Sequence, residues 1–404
     1  MIRLLFLVLA VAATPVAAED RLTVFDEVVN LVEKRFYDPD LNGLDWKAVA
    51  SEHRARVSAD MDREAFATEV NQMLARLETS HTRFVTKDSP VWHQLVGIFV
   101  RRSGPLARAL APHLAGGAPL YDGIGILTQA RPEGTFIIGV LEGHPAQKAG
   151  LLMGDRLVSV EGAPFHPIRS FEGRAGQKVA VTVERRPGET VTISVTPDRL
   201  DGRNLFRKAM RESARIIERN GKRIGYIHAW SYAGDVFQEI LANAVLYGPL
   251  KDADALVLDV RDGWGGANPT YLQLFADEAM RFTMTRRDGR STLFASAWDR
   301  PVVLLVNEGS RSGKELIAHG FRMLGTGPII GERTAGAVVA GRLNALSDGS
   351  LLYLAVADVT IDGMRLEGTG VLPDIEVPFD PAYAAGADPQ LDRATAVAAD
   401  LAGS

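Results

Sequence analysis

The chain has 404 residues, 46% of them apolar, a formal net charge of −5 and no cysteine. The missing cysteines exclude disulfides, thiol nucleophiles, thiolate zinc sites and a lipid-anchored amino terminus. Lys and Arg are scattered along the chain, so no nucleic-acid footprint and no patch for an anionic membrane is visible.

The opening Met1-Ile-Arg3, the apolar run Leu4 to Ala13 and the small residues up to Ala18 have the layout of a secretory signal. Cleavage is expected after Ala18, and no run reaches the ~20 apolar residues of a spanning helix. The remainder is therefore expected outside the cytoplasm, periplasmic or extracellular, with apolar content for two or three domains.

From Asp20 to Leu77 apolar residues recur at helical spacing (Val24, Val28, Leu31, Val32; Phe66, Val70, Leu74, Leu77), predicting an amphipathic helical region. Gly97 to Pro119, rich in Gly, Pro, Ala and Arg, reads as a linker or mobile crossing segment. Between Leu120 and Pro197, short β-rich runs alternate with Gly and Pro turns and one short helix at Pro145–Ala149, predicting a compact β module. A charged helical stretch is expected over Leu205–Asn220. Apolar strands Arg223–Ala229, Ala255–Val260, Val302–Val306 and Ile329–Gly331 then alternate with helices near Phe237–Val245, Pro269–Ala279 and Gly313–Leu324, predicting a covered, largely parallel sheet. Leu343 to Val377 returns to β runs, followed by a polar, Ala- and Asp-rich tail. The expected boundaries are 1–18 signal, 19–117 helical region and linker, 118–200 β module, 201–385 α/β domain and 386–404 tail.

Pro301-Val-Val-Leu-Leu-Val-Asn307-Glu-Gly-Ser310-Arg-Ser312-Gly-Lys-Glu-Leu reads as strand, tight turn and helix. A serine there sits where unpaired N–H groups and the helix dipole favour developing negative charge, which suits an acyl-transfer nucleophile. Helix capping by Ser310 and Ser312 is the competing reading. Leu258-Asp-Val-Arg261-Asp-Gly263-Trp-Gly265-Gly266 is a second strand ending in a glycine turn, able to bring backbone N–H groups close to an oxyanion.

Together the two segments resemble the carboxyl-terminal processing (tail-specific) serine peptidases and their tricorn-type relatives. Thr79-Ser80-His81-Thr82, Gly331-Glu-Arg-Thr334-Ala-Gly336, Leu346-Ser-Asp-Gly349 and Glu367-Gly-Thr-Gly370-Val-Leu-Pro373-Asp374 extend the resemblance in order. One departure matters: Ala337 stands where the Ser-Lys branch of the family has its proton-accepting lysine. Lys314 is no substitute, because two residues along a helix point to a different face. The tricorn-type resemblance implies Ser312 as nucleophile, His81 as base, Ser80 beside it and Glu367 as the orienting carboxylate, with the oxyanion received at Gly313 and at Gly265 or Gly266. His228 and His319 are rival bases, and Glu315 is expected to support the turn. No metal or organic cofactor is implied.

Glu142-Gly-His-Pro145-Ala-Gln-Lys-Ala-Gly150-Leu-Leu-Met-Gly154-Asp155 resembles the helix and Gly-Asp turn of a PDZ domain, with Gly123, Ile124, Gly125 and Ile126 as the carboxylate-binding loop. A module that only packs against the catalytic domain or gates it is the alternative. The implied fold is multidomain α/β: a helical region, a PDZ-like β-rich module and a ClpP/crotonase-like layered α/β catalytic domain. The implied function is an exported serine endopeptidase for protein or peptide substrates with an accessible carboxyl terminus. A peptide-binding protein that has lost catalysis on the same scaffold stands as the alternative, and an acyl-CoA hydratase-like enzyme gains nothing from the β module or the signal.

Overall fold

The computed structural model describes residues 21–114, 116–276, 280–295 and 297–403, so the signal-like segment 1–18 lies outside the described residues. The architecture is mixed α/β. Helices Arg21–Arg35, Trp46–Arg54 and Arg63–Ala75 open it, the last two capped by the carboxylates of Asp45 and Asp62 on first-turn N–H groups. Their apolar faces (Val24, Val28, Val32, Phe66, Val70, Leu74) bury against Leu352 and Leu354, which lie on strand Leu351–Ala357 nearly 300 residues downstream. Strand Arg83–Val85 pairs antiparallel with that strand, placing Arg83 opposite Tyr353. Each fully buried Leu or Phe in this core contributes roughly 1.5–3 kcal/mol. The amino-terminal helices thus carry residues 80 and 81 to the strand Leu351–Ala357 in the carboxyl-terminal part of the chain.

The expected linker at Gly97–Pro119 is largely helical. Helix Pro90–Phe99 runs through a turn into helix Gly104–Leu110, each with a serine cap (Ser89, Ser103) and a proline in its first turn. Val100, Leu106 and Leu110 pack with Trp92 and Leu351. The buried residues are too few and too close to the caps to show a helical period, which is why composition alone suggested a linker.

Strands Ile126–Arg131, Gly134–Val140, Arg156–Val160, Val179–Arg186 and Glu189–Val195 form an antiparallel sheet with helix Pro145–Ala149 against it. It has its own core, including Ile137, Leu157, Val181 and Val183. The flanking segments Leu120–Gly123 and Asp198–Asp201 pair with each other, so the module's entry and exit strands form a single two-stranded stem.

The second sheet has six strands in the order Arg215–Arg219, Lys222–His228, Ala255–Asp259, Val302–Val306, Ile329–Gly331 and Ile375–Glu376, parallel except at the first pair. The helix expected over Leu205–Asn220 stops at Ser213, and Arg215–Arg219 turns back onto the sheet as an edge strand. Asn220 and Gly221 both have positive φ (50° and 73°), the conformation that an Asn-Gly hairpin turn requires. The segment expected as helix to Ala279 is a tight 3-10 turn over Pro269–Phe275, and residues 277–279 lie outside the described residues. The expected polar tail is also corrected. Pro389–Leu401 is a helix whose Ala394, Ala398 and Ala399 are buried on the sheet, small side chains allowing close approach.

Candidate active site

Parallel pairing of Ala255–Asp259 with Val302–Val306 brings the two turns at their carboxyl ends side by side. In one, Ser312 precedes helix Gly313–Met323 with φ 58° and ψ −129°, a left-handed backbone that few non-glycine residues adopt. The turn is held from several sides. The Ser312 N–H donates to the Ala337 carbonyl at 2.8 Å and to Glu315 Oε2 at 3.2 Å. Glu315 also accepts from Thr334 Oγ1 at 2.6 Å and from the N–H groups of Gly336 and Ala337, both at 2.7 Å. It therefore braces the turn, as expected. Ser310 is fully buried, its hydroxyl donating to the Val260 carbonyl at 2.9 Å, and it too is a structural residue.

The glycine turn meets the serine turn at van der Waals contact. A Cβ on Gly265 would lie 2.7 Å from Ser312 Cβ and 2.8 Å from the Gly313 nitrogen, and one on Gly313 would lie 2.7 Å from the Gly266 nitrogen. Only glycine fits at either place, and the backbones of Gly265 and Gly266 pack against Ser312 and Gly313.

Ser80, His81 and Glu367 form a hydrogen-bonded run. Ser80 Oγ lies 2.9 Å from His81 Nδ1 and donates to Glu367 Oε2 at 3.0 Å, while the Ser80 N–H donates to Glu367 Oε1 at 3.0 Å. Glu367 Oε2 also accepts from Val338 and Val339 N–H at 2.7 and 3.1 Å. Residues 337–339 thus join the Ser312 turn to Glu367, and Glu367 joins them to Ser80 and His81. The His81 ring, also at positive φ (55°), packs on Tyr353 with centroids 5.2 Å apart. No hydrogen bond within 3.5 Å joins His81 to Ser312 among the described residues. Burial pushes the His81 pKa down to about 4, the charge of Arg311 acting in the same direction and that of Glu367 against it.

The rival groups lie apart from the Ser80–His81–Glu367 run. His228 is buried, its Nε2 bonded to the Arg261 carbonyl at 3.0 Å and its ring stacked on Trp230 at 3.5 Å. His319 lies buried near Asp362, beyond the site. Lys314 leaves the Ser312 side of its helix, and its Nζ ends on the carbonyls of Trp230, Arg261 and Asp262. Burial pushes its pKa down to about 7.

In the β module, the Ile124 carbonyl accepts from Ala146 N–H at 2.8 Å and the Gly125 carbonyl from Leu141 N–H at 3.0 Å. The Gly123–Ile126 loop is thereby tied to the helix Pro145–Ala149, and the recess it lines with Phe165 and Phe171 is small, about 20 Å³.

Sequence reasoning passed over three features. A cavity of about 1120 Å³ lies between the β module and the six-stranded sheet, lined by Glu142, Trp230, Arg261 and Arg311. Inside it Glu142 accepts from Trp230 Nε1 at 2.7 Å, and burial raises its pKa to about 7. Arg261 is held between Asp259 and Asp388, both at 2.7 Å, tying the Leu258–Arg261 motif to the cap of the last helix. Buried Trp and charged residues scattered over the sequence carry no local signal of meeting.

Residues 223–377 match the model of peptidase family S41, and residues 17–75 match the tricorn protease C1 domain. The chain carries a peptidase family S41 domain. Beyond the S41 domain, similarity runs through most of the chain. It is 28% identical over 406 aligned positions to a putative tricorn protease homolog 2 of Streptomyces coelicolor, which covers 95% of this chain and 32% of that protein. To a carboxyl-terminal-processing protease of Picosynechococcus it is 26% identical, covering 94% and 89%. The chain spans about a third of the length of the two tricorn protease homologs of Streptomyces coelicolor that it matches. Among solved structures, the photosystem II D1 C-terminal processing protease aligns with a TM-score of 0.50 at 22% identity, covering 89% of this chain and 93% of that one. The tricorn protease aligns with a TM-score of 0.53 at 18% identity, covering 95% and 37%. Both share the fold.

Proposed function

We propose that the chain is an exported serine endopeptidase, acting on unfolded or carboxyl-terminal segments of proteins through an acyl-enzyme. Ser312 Oγ attacks the scissile carbonyl and gives its proton to His81 Nε2. The carbonyl oxygen, now negative, is received by backbone N–H groups of Gly313 and of Gly265 or Gly266. His81 then protonates the leaving amine, and water repeats the sequence in reverse to free the acid. Ser80 fixes the imidazole through Nδ1, and Glu367 orients Ser80.

The observation that carries this reading is the Glu367–Ser80–His81 run, anchored on the residues that directly follow Ala337. With alanine in place of a lysine, the neutral imidazole is a base with one nitrogen already oriented. Burial keeps the His81 ring neutral near pH 7, the state from which a general base starts, and lowers its proton affinity at the same time. A separation beyond hydrogen-bonding range in a resting enzyme is ordinary and closes when substrate arrives.

The β module serves in this reading as a PDZ-like domain that holds a peptide tail at Gly123, Ile124, Gly125 and Ile126 and gates the cavity between it and a ClpP/crotonase-like layered catalytic domain. The short recess and the paired stem at 120–123 and 198–201 support a gate that opens before a tail enters. The signal-like Met1–Ala18 supports export, and no described helix is long and apolar enough to cross a membrane. The reading is tested by cleavage of a loosely folded protein by the parent, Ser312→Ala and His81→Ala. Both variants should lose activity by several orders of magnitude. Cutting that survives loss of His81 but not of Ser312 would move the base elsewhere, and tail binding without cutting in any form would leave a binding protein on this scaffold.

A further inference from the structure

We propose that the arginine-lined cavity at the amino end of helix Asp235–Leu246 binds a small phosphate dianion, free or at the end of a phosphomonoester. The site is separate from the proposed peptidase cleft, and either can fail without the other.

The cavity holds about 240 Å³ and shares no lining residue with the larger one between the β module and the six-stranded sheet. Three pieces of chain supply its arginines. Arg101 and Arg102 come from the turn after helix Pro90–Phe99, Arg203 from the turn that follows the module's exit strand, and Arg207 from helix Leu205–Ser213. Backbone packing holds the first two pieces together, since a Cβ on Gly97 would lie 2.4 Å from the Gly202 carbonyl carbon and 2.7 Å from the Arg203 nitrogen. Arg102 Nη2 reaches over Gly234, the residue before the 12-residue helix Asp235–Leu246, where an added Cβ would lie 2.8 Å from it.

That placement runs against electrostatics. The amino end of a helix carries partial positive charge and N–H groups without intrahelical partners, so it favours an anion over a guanidinium. Gly234 has no side chain with which to cap those groups. Of the four arginines, Arg203 pairs with Asp201 at 3.3 Å. The side chains of Arg101, Arg102 and Arg207 make no ion pair among the described residues, and Arg207 Nε is buried without a hydrogen-bond partner. Burial lowers the Arg207 pKa, the charges of Arg101 and Arg211 acting in the same direction and that of Asp201 against them. Among the described residues Asp235 is the one carboxylate that lines the cavity, and its Oδ1 already accepts from the Tyr271 hydroxyl at 2.5 Å.

Asp201 offsets one of the four positive charges and Asp235 a second, which leaves an excess of two. A phosphate dianion matches that excess and is small enough for the cavity. Its oxygens suit both guanidinium forks and helix N–H groups. The cavity also backs onto the glycine turn: Ala233 lines it, and a Cβ on Gly266 would lie 2.8 Å from Ala233 Cα. A phosphate bound there ties the segments that enter and leave the β module to the chain beside Gly266.

The test uses the full chain in chloride buffer, with titration calorimetry and thermal melts in inorganic phosphate, glycerol 3-phosphate or acetate at matched ionic strength. Phosphate should bind at one site with a Kd in the millimolar range or below and raise Tm as it saturates, whereas acetate should do neither. Arg102→Gln and Arg207→Gln should each weaken phosphate about tenfold or more, the size of a charge-assisted hydrogen bond, and Arg219→Gln, exposed on the sheet's edge strand, should not. Without phosphate, Arg102→Gln should melt at or above the parent, because a cation has left the positive end of a helix. That sign holds the test open should Arg207→Gln fold poorly. Glycerol 3-phosphate binding as tightly as inorganic phosphate assigns the site to phosphomonoester ends, and binding of inorganic phosphate alone assigns it to the free ion. No saturable binding, acetate binding as tightly as phosphate, or an affinity unchanged in folded Arg102→Gln overturns the proposal. Cleavage assays on the same preparations report on the peptidase reading separately.

Discussion

Replacing Glu367 by Gln separates a catalytic from a structural role for the run it belongs to. Its Oε1 accepts from the Ser80 N–H, and its Oε2 from the Val338 and Val339 N–H groups and the Ser80 hydroxyl. An amide has one acceptor and one donor end. Whichever way it is turned, an NH2 group faces an N–H that had a partner. One or two half-buried hydrogen bonds are lost, worth about 1–3 kcal/mol in all, and Tm should fall by several degrees, at roughly 2–4 °C per kcal/mol for a domain of this size. Ser80 is then released, the His81 ring loses its fixed Nδ1 contact, and kcat should drop by about 10²–10⁴ if that orientation serves proton transfer. Thermal melts and initial rates on a quenched peptide check both numbers on one preparation. A Tm drop with kcat/KM within a few-fold of the parent would refute the orienting role and leave Glu367 as a loop anchor.

The acid limb of kcat/KM should fall near pH 4 to 5, where His81 gains a proton, well below the 6.5 of a free imidazole; a limb near 7 would show that a group other than His81 sets it. Gly265→Ala places a methyl 2.7 Å from Ser312 Cβ and should lower kcat about 10²–10³-fold by pushing the two turns apart, with KM changed far less. For Glu142, burial raises the folded pKa to about 7 from 4.5, so the native protein holds an extra proton between those values. Its contribution is therefore full below about pH 4.5 and declines as pH rises to 7. His81 and His228, with lowered pKa values, act in the opposite direction between about 4 and 6.5. The Glu142 part is read as the difference in melting-temperature profile between the parent and Glu142→Gln, the latter lacking the decline.

The parallel sheet was legible because its strands are near-continuous apolar runs, and the serine and glycine turns because each ends such a strand. Their meeting followed from pairing of adjacent parallel strands, a regular consequence of the fold. The pairing of Ser80 and Glu367, 287 residues apart, has no local signal and came only through motif order. Misreadings fell where short elements depend on tertiary partners: the caps and Pro starts of 90–110, the Asn-Gly turn that makes Arg215–Arg219 a strand, and the alanine face of the last helix. The Asn220-Gly221 pair is the local sequence signal for that turn. Glu142 gave no pattern at all, because its significance lies in the Trp230 indole that it meets 88 residues downstream.

The assignment of Ser312 as nucleophile with His81 as its base is tested most directly by reacting the purified protein with an alkyl fluorophosphonate and mapping the adduct by mass spectrometry. Modification at Ser312, abolished in Ser312→Ala and slowed by about 10² or more in His81→Ala, is the expected result. An adduct at another serine, or one at Ser312 that forms equally fast without His81, would contradict it.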